Sequence, residues 1–300
     1  MSRILVIKLA ALGDVVQAFG PFAAIRAHHP GARITLLTTP PFAPLLARAP
    51  WFDDIWSEGR PGWTDPAALW RLAHQLRRAA FDRVYDLQTS GRSSRYRWLV
   101  GRGAEWSGIA PGASHPHADP RRDALHTLER QRGQLEAAGV AAFPPPALDW
   151  LDAEVSRFGL PARFALLVPG ASAQRPGKRW PTERFAALAA RLGMPCAVVG
   201  GPAERGMAAA IPGALDLAGQ TSLVELAAVA RRAALCVGND TGPTHLAAAT
   251  GTPTIAIFGP DSDPALCAPR GVGVTVLRAV PIGGVSVDQA LGAAGPLLPG

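Results

Sequence analysis

The stretch AALCVGNDTGPTHLAAATGTPTIAIFG (residues 233–259) holds two short apolar runs joined by one helix-length segment. The first run, 233–239, reads as a buried strand, and the second, 252–259, reads as another. Between them, Pro243 fits the first turn of a helix, with Thr241 or Gly242 at its cap. Strands connected through a helix lie parallel in one sheet, so the stretch predicts an α/β fold.

The same alternation extends along the rest of the chain. Apolar runs predict strands at 3–9, 34–38, 81–87, 105–109, 164–170, 195–201 and 214–219. Helical patterns separate them at 15–27 (bent or restarted at Pro21), 66–80, 123–140, 181–193 and 222–233. We expect Trp180 to pack under the helix at 181–193 as a hydrophobic staple, and Gly193 to follow the last turn of that helix.

A proline cluster divides the chain. AAFPPPALDW (141–150) places three consecutive prolines between periodic segments, which is typical of a linker. We therefore predict two domains, 1–145 and 146–300, each of ordinary domain size. Two successive series of strands and helices indicate two Rossmann-like parallel-sheet domains facing a central cleft.

The composition limits the class of protein. With 48% hydrophobic and 18% charged residues, the chain can bury a large core, yet no run reaches the roughly 18 apolar residues of a membrane span. Lys8 and Asp14 interrupt the first apolar run, so no signal peptide is predicted. The three cysteines (196, 236 and 267) show no pairing pattern, which favours a reducing compartment and the cytoplasm.

The net charge of +7 favours an anionic partner. The aromatic residues do not alternate with a basic stripe, so nucleic acid is not predicted. Of the 30 basic residues, 28 are arginine, and the two lysines are Lys8 and Lys178. Either chance left these two, or a compact ammonium is needed there and the larger guanidinium does not serve.

In open α/β sheets, ligands bind beyond the carboxyl ends of the strands, so the loops there are candidate sites. VGNDTGPTH (237–245) leads into a helix whose free N–H groups and dipole favour phosphate. Gly242 permits close approach of the backbone, and His245 is suited to hydrogen-bond a phosphate or sugar. An equally weighted alternative is that Asp240 and Thr241 only cap the helix and that His245 is a polar residue with its bonds satisfied.

A second strand-to-helix loop, PGASAQRPGKRWP (169–181), is polar and cationic and suits a diphosphate, or else is a solvated basic loop. Its candidate side chains are Ser172, Gln174, Arg175, Lys178 and Arg179. A third segment, DLQTSGRSSRYRWLVGR (86–102), suits an anionic acceptor, and for Arg95 and Arg97 a solvated helix face is an equal alternative. Its candidate side chains are Gln88, Arg92, Ser93, Arg95 and Arg97.

The loop after the first strand, KLAALGDVVQ (8–17), lacks the glycines of a dinucleotide fingerprint. It carries Lys8 and Asp14, and Gly13 eases the turn between them. The alternative for Asp14 is a cap for a helix that begins at Val15. SHPHADP (114–120) lacks a third ligand at metal-binding spacing, and no metal site is predicted.

Four segments in order resemble the ADP-heptose:lipopolysaccharide heptosyltransferases, glycosyltransferase family 9 of the GT-B fold. ILVIKLAALGDVV is similar to the family's K-x-x-x-x-G-D loop, and DLQTSGRSS to its D-x-Q-G…S segment. PGASAQRPGKRWP resembles the P-G-[AS]…K-x-W-P loop, and GNDTGPTHLAAATGTPTIAIFGPDSDP the D-T-G-[PL]-[ST]-H signature that ends in G-P-T-D-P. The chain departs from the family in the extra residue of GPDSDP, in Leu266 where an aromatic is common, and in shorter acceptor-side loops.

The resemblance implies an inverting glycosyltransferase in which Asp14 is the general base. It implies that Lys178 and the donor-side residues hold a nucleotide diphosphate sugar, ADP-heptose, and that the acceptor side holds a hydroxyl of an anionic lipopolysaccharide inner core. The implied donor-side residues are Ser172, Lys178, Glu204, Asp240, Thr241, Gly242 and His245. The implied acceptor-side residues are Lys8, Gly13, Gln88, Arg92 and Ser93.

A metal ion or further cofactor is not required, because Lys178 and a helix dipole can carry the charge of the leaving group. We expect a monomer in the cytoplasm, with peripheral contact at the inner face of the inner membrane. Two alternatives remain at this point: a Rossmann-type oxidoreductase that binds a nucleotide or dinucleotide, and a non-catalytic relative that binds a nucleotide sugar. The sequence also leaves open the donor sugar and whether the acceptor is lipopolysaccharide, protein or another glycan.

Overall fold

Two six-stranded parallel sheets form the framework of the protein, one in each of two structural units, Met1–Trp150 and Leu151–Gly300. The computed structural model describes residues 1–298. The predicted α/β fold with two parallel sheets is confirmed. The division between the units follows Trp150, at the end of the proline-containing segment 141–150.

The first unit alternates strands and helices from its N-terminus. Its strands are β1 (Arg3–Ile7), β2 (Arg33–Thr38), β3 (Asp54–Ser57), β4 (Arg83–Asp86), β5 (Glu105–Gly108) and β6 (His115–Pro116). Its helices are α1 (Leu12–Val16), α2 (Phe19–His28), α3 (Ala43–Leu46), α4 (Pro66–Ala79), α5 (Gly91–Val100) and α6 (Thr127–Ala137). The central strand β1 is buried from Ile4 to Ile7, as a strand covered on both faces must be.

The second unit repeats this alternation. Its strands are β7 (Ala165–Val168), β8 (Cys196–Val198), β9 (Leu215–Asp216), β10 (Leu235–Asn239), β11 (Thr254–Phe258) and β12 (Val274–Arg278). Its helices are α7 (Thr182–Arg191), α8 (Leu223–Arg232), α9 (Gly242–Ala249), α10 (Pro264–Cys267) and α11 (Val287–Ala294). β7, β10 and β11 are buried throughout.

Both sheets have the strand order of a Rossmann fold. The first runs β3-β2-β1-β4-β5-β6, and the second runs β9-β8-β7-β10-β11-β12, so each unit reads 3-2-1-4-5-6 in its own chain order. The order reverses between β1 and β4 in the first unit and between β7 and β10 in the second. Ligands of such sheets bind beyond the carboxyl ends of the strands at these switch points, which directs attention to four loops.

Three strands were not predicted, and all are at or near sheet edges. β3 and β12 are the outermost strands of their sheets and are only partly buried, while β6 has two residues. An edge strand needs no continuous apolar run, because solvent covers part of it. The sequence signal for these strands is therefore weak.

Two predicted helices have different bounds in the structure. The helix predicted at 15–27 is two helices separated at Gln17 and Ala18, and Pro21 lies in the first turn of α2, where a missing N–H costs no helical bond. The helix predicted at 123–140 begins only at Thr127, since the His126 side chain accepts the Leu128 N–H and caps α6 there.

The core of the second unit contains the predicted hydrophobic staple. The indole of Trp180 is buried and packs edge-on against Phe185 of α7, with 4.9 Å between ring centroids. Trp180 precedes the cap of α7 and Phe185 is its fourth residue, which is the spacing of a staple. Its Nε1 also donates to the Val285 carbonyl at 2.9 Å, so the ring holds α7 against the segment before α11.

Candidate active site

Lys8 lies at the switch point of the first unit, directly after β1. Its side chain is buried, and Nζ donates to the Leu87 carbonyl beyond the adjacent strand β4 at 3.1 Å. Burial lowers the pKa of Lys8, while the charges of Asp14 and Asp86 act in the opposite direction. A buried lysine thus lies within the electrostatic influence of two carboxylates at the carboxyl edge of the first sheet.

Gln88 ties together the two loops of this switch point. Its Oε1 accepts the N–H of Leu9 at 2.8 Å and that of Ala10 at 3.1 Å. Gln88 therefore fixes the backbone of the loop that carries Lys8. The next residue, Thr89, has a positive φ of 44°, a conformation that costs energy for a β-branched residue and occurs often at functional sites.

Asp14 lies in the first turn of α1. The expectation that it caps a helix beginning at Val15 is wrong, because α1 begins at Leu12 with Ala11 as its cap. Asp14 is the third helical residue, and its Oδ2 accepts the Ala11 N–H at 2.9 Å, as the acidic residue of a capping box does. The half-buried carboxylate thus remains beside the positive end of the helix dipole.

Lys8, Asp14 and Gln88 line one cavity of about 260 Å³ in the first unit. Its opposite wall was not predicted and comes from α6 and the turn before it. That wall comprises Arg122, Asp123, Thr127, Arg130, Gln131 and Gln134. The cavity therefore combines three cationic side chains with two carboxylates and several neutral hydrogen-bonding groups, which suits a polar anionic ligand.

The polar side chains on this wall differ in whether their hydrogen-bonding groups have partners. Arg122 donates to Thr89 Oγ1 at 2.7 Å, and Arg130 donates to Thr127 Oγ1 at 3.0 Å. Gln131 is only 4% exposed, yet neither its Nε2 nor its Oε1 has a hydrogen-bond partner. A buried amide that lacks both bonds is uncommon in a folded protein, and Gln131 is one of the residues that line the cavity.

Asp86 is the last residue of β4 and is completely buried. Burial raises its pKa to about 6, although the nearby Ser93 hydroxyl and the backbone N–H groups of Thr89 and Gln88 act to lower it. Its Oδ1 accepts the Thr89 N–H at 3.0 Å, and its Oδ2 has no partner. Asp86 thereby fixes the start of the loop after β4.

The remaining acceptor-side residues do not line the cavity. Arg92 donates to the Pro61 carbonyl at 2.9 Å and lies over the Trp63 ring. Ser93 is fully buried, and its hydroxyl donates to the Ser90 carbonyl at the start of α5. Gly13 precedes Asp14 in α1. Acceptor contact by these three residues stays a prediction.

Asn239 occupies the switch point of the second unit and was not predicted as a site residue. It is completely buried, and its Nδ2 donates to the carbonyls of Pro169 and Gly170 beyond β7. Its Oδ1 accepts the Trp180 N–H at 3.0 Å. One side chain thus joins the end of β10 to both ends of the loop after β7. In sequence, an asparagine between glycine and aspartate reads as a turn residue, which hid this role.

The structure brings Asp240, Lys178 and His245 together. Lys178 Nζ donates to Asp240 Oδ2 at 2.5 Å and to the Asp240 carbonyl at 3.4 Å, and His245 Nε2 lies 2.9 Å from Asp240 Oδ1. Burial acts to raise the pKa of Asp240, but the bonds to His245 and Lys178 outweigh it and hold that pKa at about 2. Asp240 therefore stays ionised and positions both partners.

Thr241 and Gly242 form the start of α9, as predicted. Thr241 is the cap in an extended conformation, and Gly242 and Pro243 are the first two helical residues. α9 approaches β10 closely: a Cβ on Gly238 would lie 2.3 Å from Thr244 Oγ1. Because first-turn N–H groups have no acceptor within the helix, this end of α9 favours an anion beside Lys178.

Glu204 lies under the ends of β7 and β8. Its Oε2 accepts the Gly201 N–H at 2.8 Å. A Cβ on Gly170 would lie 2.5 Å from Glu204 Cγ, and one on Gly200 would lie 2.7 Å from its Cβ, so both glycines leave room for this side chain. Ser172 is exposed and donates to Gln174 Oε1 within the loop after β7.

The loop that carries Lys178 is anchored to the end of β11. The Gly177 N–H donates to Asp261 Oδ2 at 2.8 Å. Gly259 allows the close approach, because a Cβ there would lie 1.9 Å from the Gly177 carbonyl oxygen. Asp261 belongs to GPDSDP, and the second aspartate of that segment, Asp263, accepts the Ala265 N–H and caps α10.

Solved structures with the same fold include the glycosyl transferase family 9 from Veillonella parvula. It has a TM-score of 0.84 and 24% identity, and the match covers 99% of this chain and 97% of that one. The E. coli heptosyltransferase WaaC with ADP has a TM-score of 0.74 and 21% identity, covering 98% and 99%. The fold is that of the GT-B class of glycosyltransferases.

Residues 69–283 match glycosyltransferase family 9 (heptosyltransferase). The chain is also 27% identical to lipopolysaccharide heptosyltransferase 2 of Salmonella typhimurium, in an alignment that covers 87% of this chain and 83% of that protein. The chain belongs to glycosyltransferase family 9, and the predicted resemblance is confirmed. Membership of a glycosyltransferase family does not support the alternative that the protein is a Rossmann-type oxidoreductase.

Proposed function

We propose that the protein transfers a heptose from ADP-heptose to a hydroxyl of a lipopolysaccharide inner-core acceptor, with inversion at the anomeric carbon. The observation that carries the proposal is the grouping of Lys178, Asp240 and His245 at the start of α9 in a family 9 chain. The names of the relatives support the sugar and the acceptor, and the ADP of the WaaC structure supports the nucleotide.

In this proposal the second unit binds the donor. An ammonium has three donors, and Lys178 directs two of them to Asp240, which leaves one for the diphosphate. His245 and the first-turn N–H groups of α9 contribute further hydrogen bonds, with Thr241 and Gly242 at the point of closest approach. Ser172 is assigned to the diphosphate and Glu204 to the nucleoside.

The first unit binds the acceptor in the cavity that Lys8 and Asp14 share. Lys8, Arg122 and Arg130 provide positive charge, and the unpaired amide of Gln131 provides one donor group and one acceptor atom. Acidic sugars and phosphates present the complementary oxygens. Gln88 positions the loop, and Gly13, Arg92 and Ser93 keep the acceptor-side assignment made from the sequence.

The reaction needs one base and a stabilised leaving group. Asp14 accepts the proton of the acceptor hydroxyl while the oxygen of that hydroxyl bonds to the anomeric carbon of the donor sugar. On the opposite face the bond from that carbon to the diphosphate oxygen breaks, and ADP leaves. Charge grows on the diphosphate as the bond breaks, so Lys178 and the α9 dipole stabilise the transition state more than the ground state. Attack opposite the leaving group inverts the anomeric centre.

The proposed setting is the cytoplasm at the inner face of the inner membrane, with the protein acting as a monomer. No helix among residues 1–298 has the length and apolar character to cross a bilayer. An acceptor anchored in lipid would place the reaction at the membrane surface.

The test is transfer activity of Asp14→Asn compared with wild type. With ADP-heptose and a deacylated inner-core acceptor, mass spectrometry should detect the wild-type product, and the variant should be about 10²- to 10⁴-fold slower. Calorimetry should give unchanged ADP affinity for the variant. Asp123→Asn is the matched control, since this carboxylate lines the same cavity, and it should keep most activity.

Two outcomes would contradict the proposal. Normal turnover by Asp14→Asn would remove Asp14 as the base. Binding of ADP without transfer from ADP-heptose to any inner-core acceptor would leave the protein as a non-catalytic binder of a nucleotide sugar. Analysis of the lipopolysaccharide core from a strain without the protein identifies the acceptor position.

A further inference from the structure

Three tryptophan rings are exposed around α4 and α5 of the first unit. Trp70 on α4 is 66% exposed, Trp98 on α5 is 67% exposed, and Trp63 just before α4 is 40% exposed. Tryptophan has an apolar body and a polar N–H, and it is enriched where an apolar phase meets water. Such a concentration of exposed rings on two packed helices indicates an interaction surface.

The same helices carry a one-sided charge. Neither α4 nor α5 contains an acidic residue, and together they contain six arginines. From residue 66 to 104 the acids are Asp82 and Asp86, and Asp86 is completely buried. The exposed side of these helices is therefore cationic, and it is complementary to an anionic surface.

Contacts connect the rings and the arginines. Arg77 of α4 donates to the Trp98 carbonyl of α5 at 3.2 Å. The guanidinium of Arg95 lies 5.2 Å from the centroid of the Trp63 ring. Trp70 stacks on His74 with 5.2 Å between centroids, beside Arg77. We name the exposed part of this surface the Trp–Arg face: Trp63, Trp70, Arg71, Arg78, Arg95 and Trp98.

We propose that the Trp–Arg face docks the protein on an anionic lipid bilayer. Each arginine near such a surface adds about fivefold to binding, and the indoles settle at the headgroup level. α5 begins directly after the loop of Leu87 and Gln88, which lines the acceptor cavity. Docking through this face therefore keeps that loop near the membrane. The inference rests on the proposed function only in that a lipid-anchored acceptor gives the docking its purpose.

The experiment is cosedimentation of the full chain with vesicles of phosphatidylglycerol and phosphatidylcholine, or of phosphatidylcholine alone. Wild type should bind the anionic vesicles at least about tenfold more tightly. Arg71→Glu/Arg78→Glu should lower that binding by about tenfold or more, and Trp70→Ala/Trp98→Ala should lower it by about tenfold. Arg48→Glu/Arg232→Glu has the same net charge as the first pair and should change binding less than threefold.

A second readout tests insertion of the rings. Lipids brominated near the headgroup should quench wild-type tryptophan fluorescence, and Trp70→Phe/Trp98→Phe should lose most of that quenching. Equal loss of binding in both arginine double variants would overturn the proposal, since long-range charge would then suffice. Binding of an oligonucleotide but not of vesicles would also overturn it.

Activity distinguishes this inference from the proposed function. On a deacylated acceptor in solution, the variants of the Trp–Arg face should transfer sugar at the wild-type rate. If no variant and no wild type transfers sugar but the vesicle results hold, the proposed function fails and the docking surface stands. If transfer is normal and wild type does not bind anionic vesicles, the docking surface fails.

Discussion

The switch point of each unit is held by a side-chain amide, and the two amides form hydrogen bonds mainly in opposite directions. At each switch point, one buried or half-buried amide side chain ties together the loops of the two adjacent strands. Gln88 does so as an acceptor and occupies the N–H groups of Leu9 and Ala10. Asn239 acts mainly as a donor: its Nδ2 occupies the carbonyls of Pro169 and Gly170, while its Oδ1 accepts the Trp180 N–H. Phosphate is bound by N–H donors and repelled by carbonyls, so this difference supports the proposed placement of the diphosphate at the second switch point.

The two units also differ in the pKa of a buried carboxyl group at each switch point. Asp86 and Asp240 both end a strand or follow it and are almost inaccessible to solvent. The pKa of Asp86 is raised to about 6, and that of Asp240 is lowered to about 2. The difference is direct contact, because His245 and Lys178 both bond the carboxylate of Asp240, whereas Lys8 bonds the Leu87 carbonyl and not the carboxylate of Asp86.

The largest expected effect is on the pH dependence of stability, and it comes from the carboxyl group of Asp86. Its pKa is higher in the folded state than the unfolded value of 3.8, so the folded state binds more protons between about pH 4 and 6. The free energy of unfolding should therefore fall as pH rises through that window, by up to about 3 kcal/mol. Urea denaturation from pH 4 to 7 should show this fall in wild type and its absence in Asp86→Asn. Exposed Asp152→Asn is the control and should keep the wild-type profile.

A smaller effect of opposite sign is expected at Asp240. Its pKa is lower in the folded state, so its contribution of about 2 kcal/mol is present above pH 4 and is lost as pH falls toward 2. Asp240→Asn should be less stable than wild type by that amount at pH 7, and the difference should narrow below pH 4. A constant difference at every pH would show that packing, not charge, governs this site.

Gly259→Ala sharpens the comparison by moving the cationic loop of the second unit, and it also crowds Ile282, whose Cβ would lie 2.9 Å from the added Cβ. The added Cβ must displace the Gly177 carbonyl and with it the Lys178 segment. We expect ADP affinity to fall by about tenfold, or 1.4 kcal/mol. Gly292→Ala is the matched control, because a Cβ there meets nothing within 4 Å and should leave calorimetric affinity unchanged.

The smallest effect is expected at Asp261, which accepts the Gly177 N–H. Asp261→Ala removes one hydrogen bond worth about 1 kcal/mol and should weaken ADP binding by about two- to fivefold. Asp261→Asn keeps an acceptor oxygen and should weaken it less. Equal losses in the two variants would mean that the negative charge, not the hydrogen bond, positions the loop.

Residues whose roles depend on local spacing could be predicted from the sequence. Trp180 and Phe185 are five residues apart around a helix start, and that spacing alone predicts their contact. Gly193 was likewise predicted to follow α7, and it does so with a φ of +66°. The strand-to-helix loops were found in the same way, since each lies between two periodic segments.

Residues whose roles depend on distant contacts could not be predicted in this way. Arg122, Arg130 and Gln131 reach the cavity of Lys8 because α6 packs beside β5 and β6, far along the chain from β1. α6 reads as an ordinary amphipathic helix, and its one unusual signal is a buried face that contains Gln131 and Gln134. Asp14 was placed at a cap because Leu12 and Gly13 give no sign that a helix has begun.

Because Lys8 and Lys178 are the two lysines of this sequence, chemical labelling of amines can report on a single site. The side chain of Lys178 is 13% exposed, whereas Lys8 is 4% exposed. An amine-reactive reagent should therefore acylate Lys178 in preference to Lys8. Protection of Lys178 by ADP, read by peptide mass, would test the proposed donor site in the unaltered protein.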